Sequence, residues 1–165
     1  MFQSRGARGR GLGPIALLLA AVLLPACSDN PTIPDIPRAA IVVEVDPNPI
    51  TGVQNELTGS VTAAYVVRIR ELAGLGATVN FVHSVVFDPE TGLQVAGNYL
   101  DNANLKVFVG SDRVEGQGQL DVTSTISYTL PDFRIPADLT VNVQVIDDQG
   151  NLITQSTLVR VVAPV

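Results

Sequence analysis

The chain has one cysteine, Cys27, one histidine, His83, one lysine, Lys106, and no tryptophan. A single cysteine forbids an internal disulfide, so the fold must be held by packing and backbone hydrogen bonds. A closed zinc site needs more His and Cys ligands than exist here. Nucleophilic catalysis with a histidine base would have to rely on His83, and no Gly-x-Ser-x-Gly elbow surrounds any serine. Positive charge is also scarce. Ten Lys and Arg face sixteen Asp and Glu, for a net charge of −6, and three of those ten, Arg5, Arg8 and Arg10, crowd the first residues. The remainder is therefore more acidic still, which argues against nucleic acid as a partner. The lone lysine leaves no basic patch for anionic lipid headgroups.

What is present begins with an address. After the three arginines, Leu12 to Leu24 carries no charge and runs into Pro25-Ala26-Cys27. Basic, then apolar, then small is the order of a secretory signal. Gly13 and Pro14 interrupt the run, which falls short of the roughly 20 residues of a spanning helix, so a permanent transmembrane helix is not expected. Leu24, Ala26 and Cys27 resemble the lipobox of bacterial lipoproteins, with Pro25 an unusual occupant between them. The resemblance implies cleavage before Cys27 and lipid on its thiol and new amino group. In that family, Ser28 in place of an aspartate points to the outer membrane of a Gram-negative cell. The competing reading is an ordinary signal with a cysteine nearby by chance. That would leave a free thiol in an exported protein, where thiols oxidise. Several acyl chains, each methylene worth about 0.8 kcal/mol on burial, would make a durable anchor. The expected organisation is a signal over 1–26 and a lipidated cysteine with a proline-rich linker over 27–39. The linker's Pro31, Pro34 and Pro37 keep the chain extended. One domain is expected over 40–165.

That domain reads as strands. Ile41, Val43 and Val45 alternate with Val42, Glu44 and Asp46 until Pro47-Asn48-Pro49. Between Ser60 and Leu72, Ala63, Tyr65, Val67 and Ile69 share one face and Arg68 and Arg70 the other. A third strand is predicted over Ala77–Phe87, with Ala77, Val79, Phe81, Val85 and Phe87 in phase and His83 among them on the apolar face. Asp88 to Gly92 reads as a turn. Short apolar runs follow at Leu93–Ala96 and Leu105–Val109, separated by loop-forming Gly97-Asn98 and Asp101-Asn102. Leu120, Val122, Ile126, Tyr128 and Leu130 then give the cleanest alternation, stopped by Pro131. Leu139 to Val145 repeats the pattern. Asp147 to Asn151 turns the chain into a last strand near Leu152–Val162, and these two strands read as a hairpin. No sustained 3.6-residue period follows Cys27. The prediction is an all-β, antiparallel β-sandwich of about seven to eight strands after the signal helix and tether, with a barrel as the alternative. The stretch Ile69 to Val79 and the closing hairpin resemble immunoglobulin-like domains of bacterial surface and periplasmic proteins. The Cys and Trp signature of antibody domains is absent, and the resemblance carries over no functional residue.

Chemistry is sparse. His83 reads as a core or semi-buried histidine with one backbone partner rather than a base. Asp147, Asp148 and Asn151 are candidate oxygen ligands for calcium, but Asp and Gly at this spacing also build tight reversals, which is the reading favoured here. Gly116-Gln117-Gly118 is too short for a phosphate loop and reads as a turn or bulge. Tyr99 is the one tyrosine out of core phase and hence the candidate for ligand stacking. No catalytic residue and no cofactor are assigned. The expected function is that of a non-enzymatic lipoprotein, held to the membrane through lipid on Cys27 and presenting its sandwich to a protein partner in the cell envelope. A glycan or small-ligand binding module is the alternative, made less attractive by the shortage of exposed aromatics.

Overall fold

The structure, a computed structural model, describes residues 37–164. The signal, Cys27 and most of the proline-rich linker lie outside the described residues. Most expected strands form where alternation places them, because a strand with one apolar face becomes stable only when that face is covered. The strands are β1 (Ile41–Asp46), β2 (Ile50–Gln54), β3 (Val61–Glu71), β4 (Ala77–Phe87) and β5 (Gln94–Asp101). After the helix α1 (Asn102–Phe108) come β6 (Arg113–Val114), β7 (Gln119–Tyr128), β8 (Ala137–Asp147) and β9 (Leu152–Val162).

They stack as two layers. In the first, β3 lies between β7 on one side and β1 with β2 on the other, all antiparallel. The second runs β9-β8-β4-β5, also antiparallel, with β6 beside the start of β4. The interruption at Pro47-Asn48-Pro49 splits the first strand, since proline has no N–H for the ladder. The continuation β2 then crosses between layers, pairing with β3 and, in parallel, with β9 through Ile50 and Thr51. This parallel pair departs from the all-antiparallel expectation, and it closes one side of the sandwich. Gly52 sits at the crossing, where a Cβ would come within 2.7 Å of Val61. Core strands divided as first, second and fifth against third, sixth and seventh are the immunoglobulin-like arrangement, so the fold is an immunoglobulin-like β-sandwich.

The core follows the predicted phases on most strands. Ala63, Tyr65, Val67 and Ile69 of β3 are buried, as are Leu120, Val122, Ile126 and Tyr128 of β7 and Leu139, Val141, Val143 and Val145 of β8. Two segments also change element type from the sequence reading. The Gly97-Asn98 segment is the middle of the continuous strand β5 rather than a loop, and Leu105 to Phe108 belongs to α1 rather than to a strand. Asp101 caps that helix, its side chain accepting from the Asn104 N–H at 2.8 Å, and Leu105 is its one buried residue.

Two buried carboxylates organise one end of the sandwich, the end at which the described chain enters. Glu71, at the close of β3, is 1 % exposed. Its Oε1 accepts from the Ala40 and Ala73 N–H groups at 3.0 and 2.8 Å. Its Oε2 accepts from Gly74, Leu75 and Gln117 at 2.7, 3.1 and 2.9 Å. Asp147, at the close of β8, accepts the Ala39 N–H at 3.1 Å and those of Gln149 and Asn151 at 3.0 and 2.8 Å. Two consecutive backbone donors, Ala39 and Ala40, are thus divided between acids from opposite layers, and this fixes the entering chain. In both acids burial alone would raise the carboxyl pKa. Hydrogen bonding outweighs it, chiefly from Gln117 and Ala40 for Glu71 and from Asn151 and Ala39 for Asp147, and brings each to about 2.

Candidate functional site

The third strand carries the main correction. Val79 pairs with Val145, but Phe81 pairs with Gln144, so Asn80 is an extra residue against β8. Such a bulge reverses the phase of everything after it. Val82, Ser84 and Val86 turn inward and are 0–2 % exposed, while Phe81, His83 and Phe87 are only partly buried on the outer face. His83 is therefore half-buried on the outer face rather than packed in the core, and its ring makes no hydrogen bond to a described residue. The sequence concealed this because Val82 and Val86 offer a second apolar phase that fits equally well after Asn80.

On that outer face the register lines residues up in rows across four strands, since residues directly opposite on paired strands share a face. The central row is Tyr99, His83, Asn142 and Ser156. Above it lie Asp101, Phe81, Gln144 and Thr154, and below it Gly97, Val85, Thr140 and Leu158. Tyr99, 54 % exposed, joins two neighbours. Its ring centroid is 5.4 Å from that of Phe81 and 5.6 Å, edge-on, from that of His83. Asn80 Nδ2 donates to Gln144 Oε1 at 3.2 Å. Asn142, Thr140, Thr154 and Ser156 have no side-chain hydrogen bond to any described residue, so their donors and acceptors face solvent. In these three rows the only charged residue is Asp101, engaged in the helix cap. The next row brings Asp138 opposite Arg160.

The other sequence candidates lie at the entry end. Asn151 presents Nδ2 to both Asp147 oxygens at 3.2 and 2.9 Å, so Asp147 is surrounded by N–H donors. Asp148 takes a two-pronged pair from Arg113 at 2.9 and 2.7 Å, which lowers its pKa. The oxygens of these acids are committed to the turn and to Arg113. Gly150 has φ +83°, the left-handed conformation expected in this turn. Gly116 packs where a Cβ would lie 2.4 Å from the Gly74 carbonyl oxygen, consistent with a turn glycine. Among the described residues no three His, Cys, Asp or Glu side chains gather as a metal-binding group, and no helix is long and apolar enough to cross a membrane. Cys27 lies outside the described residues. Glu71 escaped the sequence reading because two of its five donors come from residues 40 and 117, which only folding brings to it.

No protein-family model matches the chain, and neither does any curated protein. Solved structures do match. A protein described as ApaA from Bordetella pertussis aligns at 14 % identity over 78 % of this chain and 98 % of its own, with a TM-score of 0.60. An X-ray structure of a structural-genomics target aligns at 14 % identity over 75 % and 87 %, with a TM-score of 0.58. A CARDB domain from Pyrococcus furiosus aligns more loosely, at 14 % identity over 76 % and 89 %, with a TM-score of 0.37. At such identities the first two likenesses bear on the fold alone.

Proposed function

We propose that this chain is an exported lipoprotein of the cell envelope, anchored through Cys27, that recognises a protein partner with the outer face of its β9-β8-β4-β5 sheet. The basic, apolar, Ala26-Cys27 order motivates the anchor. The observation that carries the recognition role is the neutral, aromatic patch centred on the Tyr99–His83–Asn142–Ser156 row in a chain of net charge −6. Depletion of charge and enrichment of aromatics are what distinguish the core of a protein interface from ordinary surface.

A glycan ligand is the second reading. The same bulge that exposes Phe81 and His83 supplies ring surfaces beside Tyr99, with the amides of Asn142 and Gln144 opposite them on β8. A photo-reactive residue in place of Asn142, in the full chain expressed in its own cells, separates the two. The protein reading expects a discrete protein adduct that Tyr99→Ala abolishes. The glycan reading expects no such adduct and Tyr99-dependent retention on envelope polysaccharide. For the anchor, Cys27→Ser is expected to move the protein from the membrane to the soluble fraction. An unacylated mature N-terminus by mass spectrometry would overturn it.

A further inference from the structure

The middle of the core is less apolar than its flanks. Strand pairing puts Tyr65 of β3 opposite Ser124 of β7, and Ser84 of β4 between Asn98 of β5 and Val141 of β8. Asn98 Nδ2 donates to Ser124 Oγ at 3.1 Å, so the two rows meet at one level of the sandwich. Tyr65, Ser84 and Ser124 are 2, 2 and 6 % exposed. The other buried polar side chains among the described residues, Glu71, Asp88, Asp112 and Asp147, lie at strand ends or in loops. Only these two serines are buried in the body of a strand, and they take less room than Val82, Val86, Val122 and Ile126, the inward residues beside them.

The Tyr65 hydroxyl is the anomaly at this level. It is buried and has no hydrogen-bond partner among the described residues, whereas the other core tyrosine, Tyr128, donates to the Ile135 carbonyl. A hydroxyl buried without a partner gives up its hydration for nothing, and protein cores avoid that loss by admitting a water that makes about three hydrogen bonds. Partners for such a water stand at the same level. Ser84 and Ser124 bring hydroxyls, Ser124 still has its proton to donate, and Asn98 brings an amide. Strand β5 depends on this region more than any other strand does. None of its residues is buried, so no fully covered apolar side chain fixes it to the opposite layer, and its hydrogen-bonded link to that layer is the Asn98–Ser124 contact.

We infer that an ordered water molecule binds inside the sandwich against the Tyr65 hydroxyl, shared with Ser84, Ser124 and Asn98, and that this hydrated cluster holds β5 to the opposite layer. Tyr99 stands on the outer face of the same strand, so what holds β5 also steadies that ring. Tyr65→Phe in the full chain keeps the ring and removes only the hydroxyl. If a water completes that hydroxyl, the variant strands the water and the urea midpoint falls. The amides of Gly97 to Leu100 are then expected to exchange with deuterium about tenfold faster or more, with a smaller change in β8. A crystal of the natural chain is expected to show a solvent peak within about 3.2 Å of Tyr65 Oη. A midpoint that stays the same or rises in Tyr65→Phe, or the lack of that peak, would mean a dry hydroxyl and overturn the water site. Exchange in β5 that quickens no more than in β8 would overturn its hold on the strand.

Discussion

The two outer faces of the sandwich use similar alternation to opposite ends. On the β1-β3-β7 face the polar groups engage one another. Arg68 lies 3.8 Å from Asp46 and 3.4 Å from Asp121, Arg70 pairs with Glu44 at 4.0 Å, and the Thr62 and Ser127 hydroxyls meet at 3.0 Å. On the other face, which is almost uncharged, the rings meet only one another, and Thr140, Asn142, Thr154 and Ser156 make no side-chain hydrogen bond to a described residue. A strand's polar face thus tells nothing by itself about recognition. What matters is whether cross-strand register brings complementary groups opposite one another, as it does for Glu44, Arg68 and Asp121, or leaves their capacity free, as it does for Asn142 and Ser156.

The sharpest way to break this contrast is to invert the phase past the bulge. Inserting one alanine between Val82 and His83 would send His83 and Phe87 inward, into the buried places of Ser84 and Asp88, while Ser84 and Val86 turned outward. Loss of cooperative unfolding, a cost of more than about 4 kcal/mol, is expected in urea melts because an imidazole and a phenyl ring are forced into sites shaped for smaller side chains. An insertion that melts normally would mean that the register past Val82 slides freely.

Next in size is the clamp that keeps the two layers in fixed relation. Glu71→Ala is expected to cost about 3 kcal/mol, since it strips five backbone donors of their acceptor. The pH dependence follows from the depressed carboxyls. A folded pKa below the unfolded one contributes stability that is complete above the unfolded value and lost as pH falls toward the folded one. For Glu71 that window runs from 4.5 down to about 2, and for Asp147 from 3.8 down to about 2. Stability should therefore drop steeply across this acid range in the natural chain and less steeply in Glu71→Gln. Equal slopes in the two would show that the acid limb originates elsewhere.

Smaller effects separate the faces themselves. Arg68→Ala should cost at most about 1 kcal/mol, because its partners are part-exposed and salt screens them, and the cost should shrink in high salt. Tyr99→Ser should change stability by less than about 0.5 kcal/mol while abolishing partner capture. A large melting shift for Tyr99→Ser would mark the aromatic group as structural and remove the ground for calling that face a recognition surface.

Residue by residue, the sequence alone determined the strands whose alternation has no competitor. Arg68 and Arg70 leave β3 one apolar phase, and Pro131 bounds β7. Asp147 to Gly150 announces its own reversal, because turn chemistry is local and is written in the residues that perform it. The acidic balance, the single cysteine and the lipobox-like order are likewise matters of composition and position. Only tertiary structure decided the rest. The inserted residue at Asn80 is defined by the strand opposite it, since a bulge is a mismatch between two chains and leaves no mark in one. The seven residues of α1 are too few for a period to emerge, and they are held by the Asp101 cap and by burial of Leu105. Glu71 became the clamp because folding carried the amides of Ala40 and Gln117 to a carboxylate that already accepts from its own neighbours Ala73, Gly74 and Leu75. Its worth comes from having no water to replace them.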